Sequence, residues 1–123
     1  MKDMKYKTFK YKNYNNCSFY VTNYSRNPDA MFIGILDEKG NRIFDCTRNV
    51  PDYFYEENVA VIKNYSETYG MTDFLRKMGI VKQINTKSYF KVFGNSSNES
   101  MDYCDIDIDK LKKYSSTFNY KWE

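Results

Sequence analysis

The carboxylate-rich run Asp105–Lys110 is the first place where residue types and spacing suggest chemistry. Its sequence, DIDIDK, places aspartates at every second position, as at the opening of a calcium-binding EF-hand loop. Such a loop needs glycine at its sixth position and glutamate at its twelfth, where this chain has Lys110 and Ser116. Alternating Asp and Ile is instead typical of a strand with one solvent-facing side. The run therefore does not predict a metal site.

The chain has no histidine among its 123 residues. This removes the commonest general base near neutral pH, the usual activator of Ser or Cys nucleophiles and the commonest metal ligand. The five glycines are not spaced for a phosphate-binding loop. Cys17, Cys46 and Cys104 lie far apart and predict free, buried thiols. We expect a protein that is not an enzyme and needs no cofactor or metal, with a carboxylate-only enzyme as the alternative.

Aromatic residues make up 19% of the chain, and thirteen of them are Tyr. One small core does not need so many rings, so some are expected at the surface, where Tyr suits contact with proteins or nucleic acids. A genome biased towards A and T is the alternative explanation. Rings and carboxylates together predict an acidic partner-binding surface. Its residues are Tyr53, Tyr55, Glu56, Glu57, Asp102, Asp105 and Asp107, with Asp52 beside them.

Lysines and rings predict a second, basic surface. Its residues are Lys5, Tyr6, Lys7, Lys10, Tyr11 and Lys12 at the start of the chain, with Arg76, Lys77 and Lys82 farther on. The basic surface could follow a nucleic-acid backbone while rings stack on bases. The acidic surface could imitate a phosphate track and occupy a basic groove on a partner protein. An ordinary solvated face is the alternative for both surfaces, and the net charge of +3 does not decide between them.

Hydrophobic patterns predict the strands that would position these residues. Residues 17–24 alternate between apolar and polar side chains, as in a half-buried strand, and residues 30–36 are apolar throughout, as in a strand covered on both faces. Asp37 and Gly40 favour a tight hairpin turn between this strand and the next. Residues 58–63, 88–93 and 101–108 predict further strands. We expect an antiparallel sheet of about five to seven strands.

One main helix is predicted over about residues 67–78. Met71, Phe74, Leu75 and Met78 form a single apolar stripe, and Gly79 suits the left-handed position that ends a helix. Asn64 and Glu67 have the spacing of a capping box at its start. A short second helix is predicted over about 108–114, after a cap at Asp107. The fold class is therefore α+β, with the main helix packed on one face of the sheet.

The length of the chain indicates one domain that spans residues 1–123. We expect a flexible polar loop at about 94–100 and a loose C-terminal tail at about 115–123. The start of the chain lacks the apolar region of a signal peptide, and no stretch is long and apolar enough to cross a membrane. These features predict a protein of the bacterial host cytosol that makes no membrane contact.

Two stretches, LDEKGNRIFDCTRNVP and VAVIKNYSETYGMTDFLRKMGIV, resemble an uncharacterised family of small proteins carried by phages and conjugative elements of Gram-positive bacteria. The similar features are the acidic-Gly turn Asp37–Gly40, the strand end Asn49–Pro51, the segment Ile62–Met71 and the closing Gly79–Val81. The match covers under half of the chain. No activity is established for that family, so the resemblance implies no catalytic residues. It implies the cargo of a mobile element, and small proteins of that kind frequently inhibit host defences such as CRISPR nucleases.

These observations give two functional hypotheses. The first is a non-enzymatic inhibitor, such as an anti-CRISPR protein, that binds a nuclease or effector complex of a bacterial defence system. The second is a small nucleic-acid-binding accessory protein that uses the Lys- and Tyr-rich N-terminal strand and the basic end of the main helix. Affinity for bare nucleic acid that falls steeply as salt rises would distinguish the second from the first.

Overall fold

The computed structural model describes residues 6–50, 55–91 and 98–122. The fold is α+β, as predicted, with a five-stranded, mainly antiparallel sheet, a three-stranded antiparallel sheet, one main helical segment and a short C-terminal helix. The elements are β1 Phe9–Tyr11, β2 Tyr14–Asn23, β3 Met31–Leu36, β4 Arg42–Asp45, β5 Val59–Lys63, a 3-10 turn Ser66–Thr68, α1 Met71–Lys77, β6 Val81–Lys91, β7 Asn98–Ile106, α2 Ile108–Lys113 and β8 Ser115–Phe118.

The strands divide between two sheets instead of forming one. The larger sheet has the order β1-β2-β3-β4, and β8 pairs in parallel with β2 beside β1; the smaller has the order β5-β7-β6. The turn between β3 and β4 forms as expected. Asp37 accepts hydrogen bonds from the backbone N–H groups of Lys39 and Asn41, and Gly40 has a φ of +87°. The hydrogen bond from the Asn41 N–H is the main reason why the pKa of the Asp37 carboxyl is lowered, and the bond from Lys39 adds to it.

One large hydrophobic core lies between the larger sheet, the helices and one face of the smaller sheet. Strands β2 and β3 contribute Phe19, Ile33 and Ile35, and α1 contributes Met71 and Leu75. A second, smaller cluster lies on the opposite face of the smaller sheet. Because both sheets contribute to the large core, neither can be exposed to water without loss of much of the apolar burial.

The C-terminal segment differs from the prediction of a loose tail. Ser115–Phe118 forms β8, whose Ser115 lies opposite Phe19 of β2, and Trp122 packs partly buried against the smaller cluster. The expected loop at about 94–100 falls mostly outside the described residues, and β7 begins at Asn98. The tail is therefore part of the sheet through its first four residues.

The predicted helix over about 67–78 is divided in two. A 3-10 turn at Ser66–Thr68 precedes α1, because Gly70 has a φ of +91° and interrupts the helical backbone. Gly79, with a φ of +82°, ends α1 as expected, and Ile80 then donates its N–H to the Leu75 carbonyl at 2.8 Å. Neither helix in the described part of the chain has the length and apolar character needed to cross a membrane.

The extended segment of residues 46–48 joins the two sheets. Cys46 donates its backbone N–H to the Ile33 carbonyl of β3 at 2.8 Å, and its carbonyl accepts the N–H of Lys63 in β5, also at 2.8 Å. Arg48 donates its N–H to the Val61 carbonyl of β5 at 3.0 Å. The segment therefore has backbone hydrogen bonds to both sheets.

The buried Thr47 side chain completes this junction. Its Oγ1 accepts the backbone N–H of Ile33 at 3.1 Å and lies 3.0 Å from the Tyr24 hydroxyl. Burial raises the pKa of Tyr24 to about 12, so its hydroxyl keeps its proton at physiological pH.

Replacing Thr47 by Val should lower the free energy of unfolding by about 1–3 kcal/mol, because the near-isosteric side chain leaves the Ile33 N–H buried without an acceptor. Urea unfolding of the purified variant measures this. Thr117→Val on β8 is the control, because no described hydrogen bond uses that hydroxyl, and its effect should stay within about 0.5 kcal/mol. Equal effects of the two substitutions would contradict the importance of the junction.

Candidate functional site

The residues of the predicted acidic surface do not form one surface. Tyr53 and Asp52 lie outside the described residues. Tyr55 is buried, where its hydroxyl accepts the Val50 N–H at 3.0 Å and its ring lies 6.0 Å from that of Tyr103. Asp107 caps α2 and accepts the Lys110 N–H at 3.1 Å. Tyr55 and Asp107 are therefore used inside the fold.

Three carboxylates of that prediction lie near one another at one end of the smaller sheet. Glu56 and Glu57 are exposed, and Val59, two residues after Glu57, lies opposite Asp105 in the register of β5 and β7. Asp105 is partly buried and accepts the Asn85 side-chain amide at 2.8 Å. This remainder keeps three carboxylates but lacks the Tyr55 ring and the Asp102 and Asp107 carboxylates that the phosphate-imitation hypothesis included.

Asp102 is buried, with an exposed fraction of only 2%. It shares a face of β7 with Cys104 and Ile106, which belong to the large core. One carboxylate oxygen, Oδ2, accepts the Thr72 hydroxyl of α1 at 2.6 Å, and Oδ1 has no hydrogen-bond partner among the described residues. The position of Asp102 therefore contradicts its assignment to a partner-binding surface, and its contact fixes α1 on the sheet.

The fold brings the predicted basic residues together more completely than the acidic ones, although some of them are replaced by other cations. Lys5 lies outside the described residues. Tyr11 is buried between the rings of Phe44 and Phe74, at 5.1 and 4.8 Å, and burial raises its pKa to about 12. Lys12 donates to the Glu67 carbonyl at 2.6 Å. Tyr11 is therefore not available to stack on bases, and the Lys12 ammonium group is held against the Glu67 carbonyl.

The remaining cations of β1 and α1 are joined by lysines of α2. The Phe9 ring of β1 lies 5.9 Å from Phe74 of α1 and 6.1 Å from Tyr114 at the end of α2. Lys7 donates its N–H to the Lys113 carbonyl at 2.6 Å. Three segments that are distant in sequence therefore lie side by side. Lys82 follows shortly after α1, where the Ile80 carbonyl accepts the N–H of Asp107, the cap of α2. We call the cationic side chains of these segments, with Lys82, the basic face: Lys7, Lys10, Arg76, Lys77, Lys82, Lys110 and Lys113.

Sequence reasoning missed the two lysines of α2, since their proximity to β1 and α1 arises only from the tertiary fold. The aliphatic stem of Lys110 lies over Gly79, where a Cβ would come within 2.9 Å of its Cε. No side chain of the basic face forms an ion pair with a carboxylate of the described residues. Asp73 and Asp109, on the same two helices, are exposed and make no such pair. The cations therefore have no direct ion-pair partner among the described residues.

The elbow, residues 64–70 between β5 and α1, presents the most exposed ring of the described residues. The exposed fraction of Tyr69 is 79%, and that of Tyr14 is 41%. The Asn64 side-chain oxygen accepts the N–H groups of Gly70 at 3.0 Å and Thr72 at 3.2 Å. Asn64 therefore caps α1 as predicted, although across the 3-10 turn, and Glu67 does not complete the predicted box.

Further contacts hold the elbow in place. Buried Thr68 donates its hydroxyl to the Tyr65 carbonyl at 3.0 Å, and Lys63 pairs with Glu67 at 2.6 Å. This pairing is the main cause of the lowered pKa of the Glu67 carboxyl. Arg48 donates to the Tyr65 hydroxyl. Tyr69 thus stands on a loop whose backbone is fixed by its neighbours.

A polar cleft of about 570 Å³ lies on the outer side of the larger sheet, between the segment that leads into β1, strands β2 and β8, and the β3–β4 turn. Tyr6, Thr8, Asn16, Ser18 and Ser116 line it. Of these residues, only Tyr6 belonged to a surface predicted from the sequence. Among the described residues, no group of three or more Cys, Asp or Glu side chains could hold a metal ion.

The comparisons with known proteins add no family. No protein-family model, curated protein or solved structure matches the chain. The resemblance to the phage and conjugative-element family stays a prediction, and the functional argument depends on the surfaces described above.

Replacing Thr72 by Val should lower the free energy of unfolding by about 1–3 kcal/mol, because it removes the one described hydrogen bond to the buried Asp102 carboxylate. The same substitution in an Asp102→Ala background should cost less than about 1 kcal/mol, since no carboxylate is left to desolvate. Chemical unfolding of the four proteins of this cycle measures the difference. Additive effects would show that the contact does not stabilise α1.

Proposed function

We propose that the protein is a small, non-enzymatic nucleic-acid-binding accessory protein whose basic face holds the phosphate backbone. The observation that carries the proposal is that β1, α1 and α2, which meet through the rings of Phe9, Phe74 and Tyr114, each carry exposed cations without a described carboxylate partner. The whole chain has a formal charge of only +3, so this face is much more positive than the remainder.

The physical basis is counterion release. A nucleic-acid duplex concentrates cations along its phosphates, and each phosphate neutralised by a protein cation releases some of them into solution. The gain in entropy favours binding without reading the base sequence. Exposed side chains such as Arg76 and Lys77 suit this role, because no internal ion pair must be broken first.

The geometry of α1 favours backbone contact over base reading. The helix spans only seven residues, and Phe74 packs against Phe9 while Leu75 is buried in the core. Its solvent-facing side carries Asp73, Arg76 and Lys77. A helix so short and so closely flanked by β1 presents cations to phosphates and has little free surface to insert into a groove. We expect sequence-tolerant binding.

Arg76→Glu and Lys113→Glu, on two different helices, should each weaken binding to a short DNA duplex. Each should also reduce the slope of log affinity against log salt by about one, because one phosphate contact is lost. Fluorescence anisotropy at several salt concentrations measures both quantities.

Arg26→Glu is the control, because Arg26 is an exposed cation outside the basic face and its replacement changes the net charge by the same amount. It should leave the slope unchanged. A control that weakens binding as much as the other two would mean that only net charge matters, and absence of DNA binding by the unmodified protein would reject the proposed function.

The second candidate function is that of a non-enzymatic inhibitor, such as an anti-CRISPR protein, that binds an effector of a bacterial defence system. The exposed ring of Tyr69 on the fixed elbow favours this candidate, because rigid, exposed aromatic side chains are frequent anchors of protein–protein interfaces. The cationic groups of Lys63 and Arg48 lie 5.3 and 5.8 Å from the centre of the Tyr65 ring. The elbow therefore lies beside Tyr and Arg side chains, which are enriched in protein–protein interfaces. The resemblance described above supplies the biological context.

Tyr69→Ala should abolish co-elution of the protein with a purified CRISPR effector nuclease in the absence of nucleic acid, because the anchoring ring is lost. Tyr69→Phe keeps the ring and should preserve co-elution. Size-exclusion chromatography of the mixtures measures the complex. Failure of the unmodified protein to co-elute with any effector of a representative panel would count against this candidate, and an unchanged complex with Tyr69→Ala would exclude the elbow as its contact.

A further inference from the structure

We propose that the polar cleft accepts one unstacked nucleotide of a single strand whose neighbouring phosphates lie on the basic face. This inference rests on the proposed function and names its preferred substrate class. The cleft has the volume of a small-molecule site, about 570 Å³, and opens on the side of the larger sheet that no helix covers.

The floor of the cleft offers one hydrogen-bond acceptor, the Ser18 hydroxyl oxygen, that the fold does not use. Ser18 donates its hydroxyl to the Ser116 Oγ at 3.0 Å, and Ser116 donates in turn to the Phe19 carbonyl at 3.4 Å. The protons of both hydroxyls are thereby committed, and the Ser18 oxygen, which is buried, remains an acceptor. A base edge or a sugar hydroxyl supplies the matching donor.

Asn16 supplies the complementary donor. The pairing of β1 with β2 shifts register between Phe9 and Tyr11, and Asn16 within β2 has a φ of +55°. Bulges of this kind redirect a side chain, and Asn tolerates the left-handed conformation better than most residues. Thr8 donates to the Asn16 side-chain oxygen at 3.5 Å, and the Asn16 side-chain NH₂ group has no partner among the described residues. It is available to a ligand in the cleft.

Tyr6 borders the cleft with a partly buried ring whose hydroxyl has no described partner. Bases stack on such rings whatever their identity, and stacking is the main source of single-strand affinity in sequence-tolerant binders. A base within a duplex is already stacked and cannot enter. The cleft therefore favours a single strand.

The position of β1 connects the cleft to the basic face. Tyr6 and Thr8 line the cleft, while Lys7 between them donates its backbone N–H to Lys113. Lys10 is exposed and lies two residues beyond Thr8, at the register shift of β1. When one base of a nucleic-acid single strand occupies the cleft, Lys7 and Lys10 are thus near enough to contact the phosphates on either side of that base.

The β3–β4 turn closes one side of the cleft without competing for the ligand. Asp37 is occupied by its own turn, in hydrogen bonds with the backbone and side chain of Asn41. Glu38 and Lys39 line the rim with one charge of each sign. With the Asp37 carboxylate, two acids and one lysine border this side of the cleft, so the phosphates of a bound strand lie on the opposite side, towards Lys7 and Lys10.

The decisive experiment compares a labelled single strand of about 15 thymidines with a duplex of equal length by fluorescence anisotropy at one salt concentration. The unmodified protein should prefer the single strand. Asn16→Gly, which keeps the positive φ accessible, and Tyr6→Leu should each weaken single-strand binding about tenfold and leave duplex binding unchanged. Asn15→Gly and Tyr69→Leu are the matched controls and should alter neither.

The two proposals fail differently in this experiment. If both probes bind with equal affinity and Asn16→Gly has no effect, the nucleotide site in the cleft is overturned. The proposed role of the basic face is then unaffected. Absence of binding to either probe would overturn the proposed function itself. Should the variants fail to fold, amide chemical shifts of the unmodified protein titrated with thymidine monophosphate decide: shifts around Asn16 and Ser18 support the cleft, and shifts confined to the basic face, or none, reject it.

Discussion

The hydrogen bonds of residues 46–48 to both sheets are the constraint on which the remaining structure depends. A single extended segment cannot serve β3 and β5 at once unless the two strands lie on either side of it. The sheets are therefore held together at one edge and must separate elsewhere. Cys46, at the centre of this junction, is fully buried, and burial raises the pKa of its thiol well above the ordinary value. It acts as a small apolar side chain.

The space between the separating sheets is where α1 lies, and its placement determines the surfaces. Leu75 and Met71 fill the core, so the opposite side of α1, with Arg76 and Lys77, must face water. β1 then crosses beside α1 through the contact of Phe9 with Phe74. The basic face is thus a consequence of core packing, and it changes only if the core does.

Local patterns predicted the elements well because each depends on neighbours in sequence. The Asp37–Gly40 turn and the end of α1 at Gly79 need only side chains within a few residues, and both are present. The pairing of β8 with β2 depends on contacts almost one hundred residues apart, and the division into two sheets depends on distant pairings such as that of Val59 with Asp105. One sequence holds no signal for either. The contribution of the α2 lysines to the basic face could not be predicted for the same reason, because it depends on contacts between segments that are distant in sequence.

The assignment of Asp102 to an acidic surface was wrong, although the sequence held a warning. Asp102 and Asp105 are three residues apart, and in a regular strand an odd separation places side chains on opposite faces. Asp102 is instead in phase with Cys104 and Ile106, which are buried. Applying the alternation strictly would have assigned Asp102 to the core. Tyr55 gave no such signal, because its burial against Tyr103 depends on tertiary packing.

The three candidate surfaces differ in the physical force that each would use, and ionic strength separates them. Attraction between phosphates and exposed cations such as Arg76 is screened within about 8 Å at physiological salt. Stacking on Tyr6 in the cleft, or burial of Tyr69 against a protein, depends mainly on the removal of apolar surface from water, which salt does not weaken. Single-strand binding should therefore retain a salt-insensitive part that duplex binding lacks, and that part reports the cleft alone.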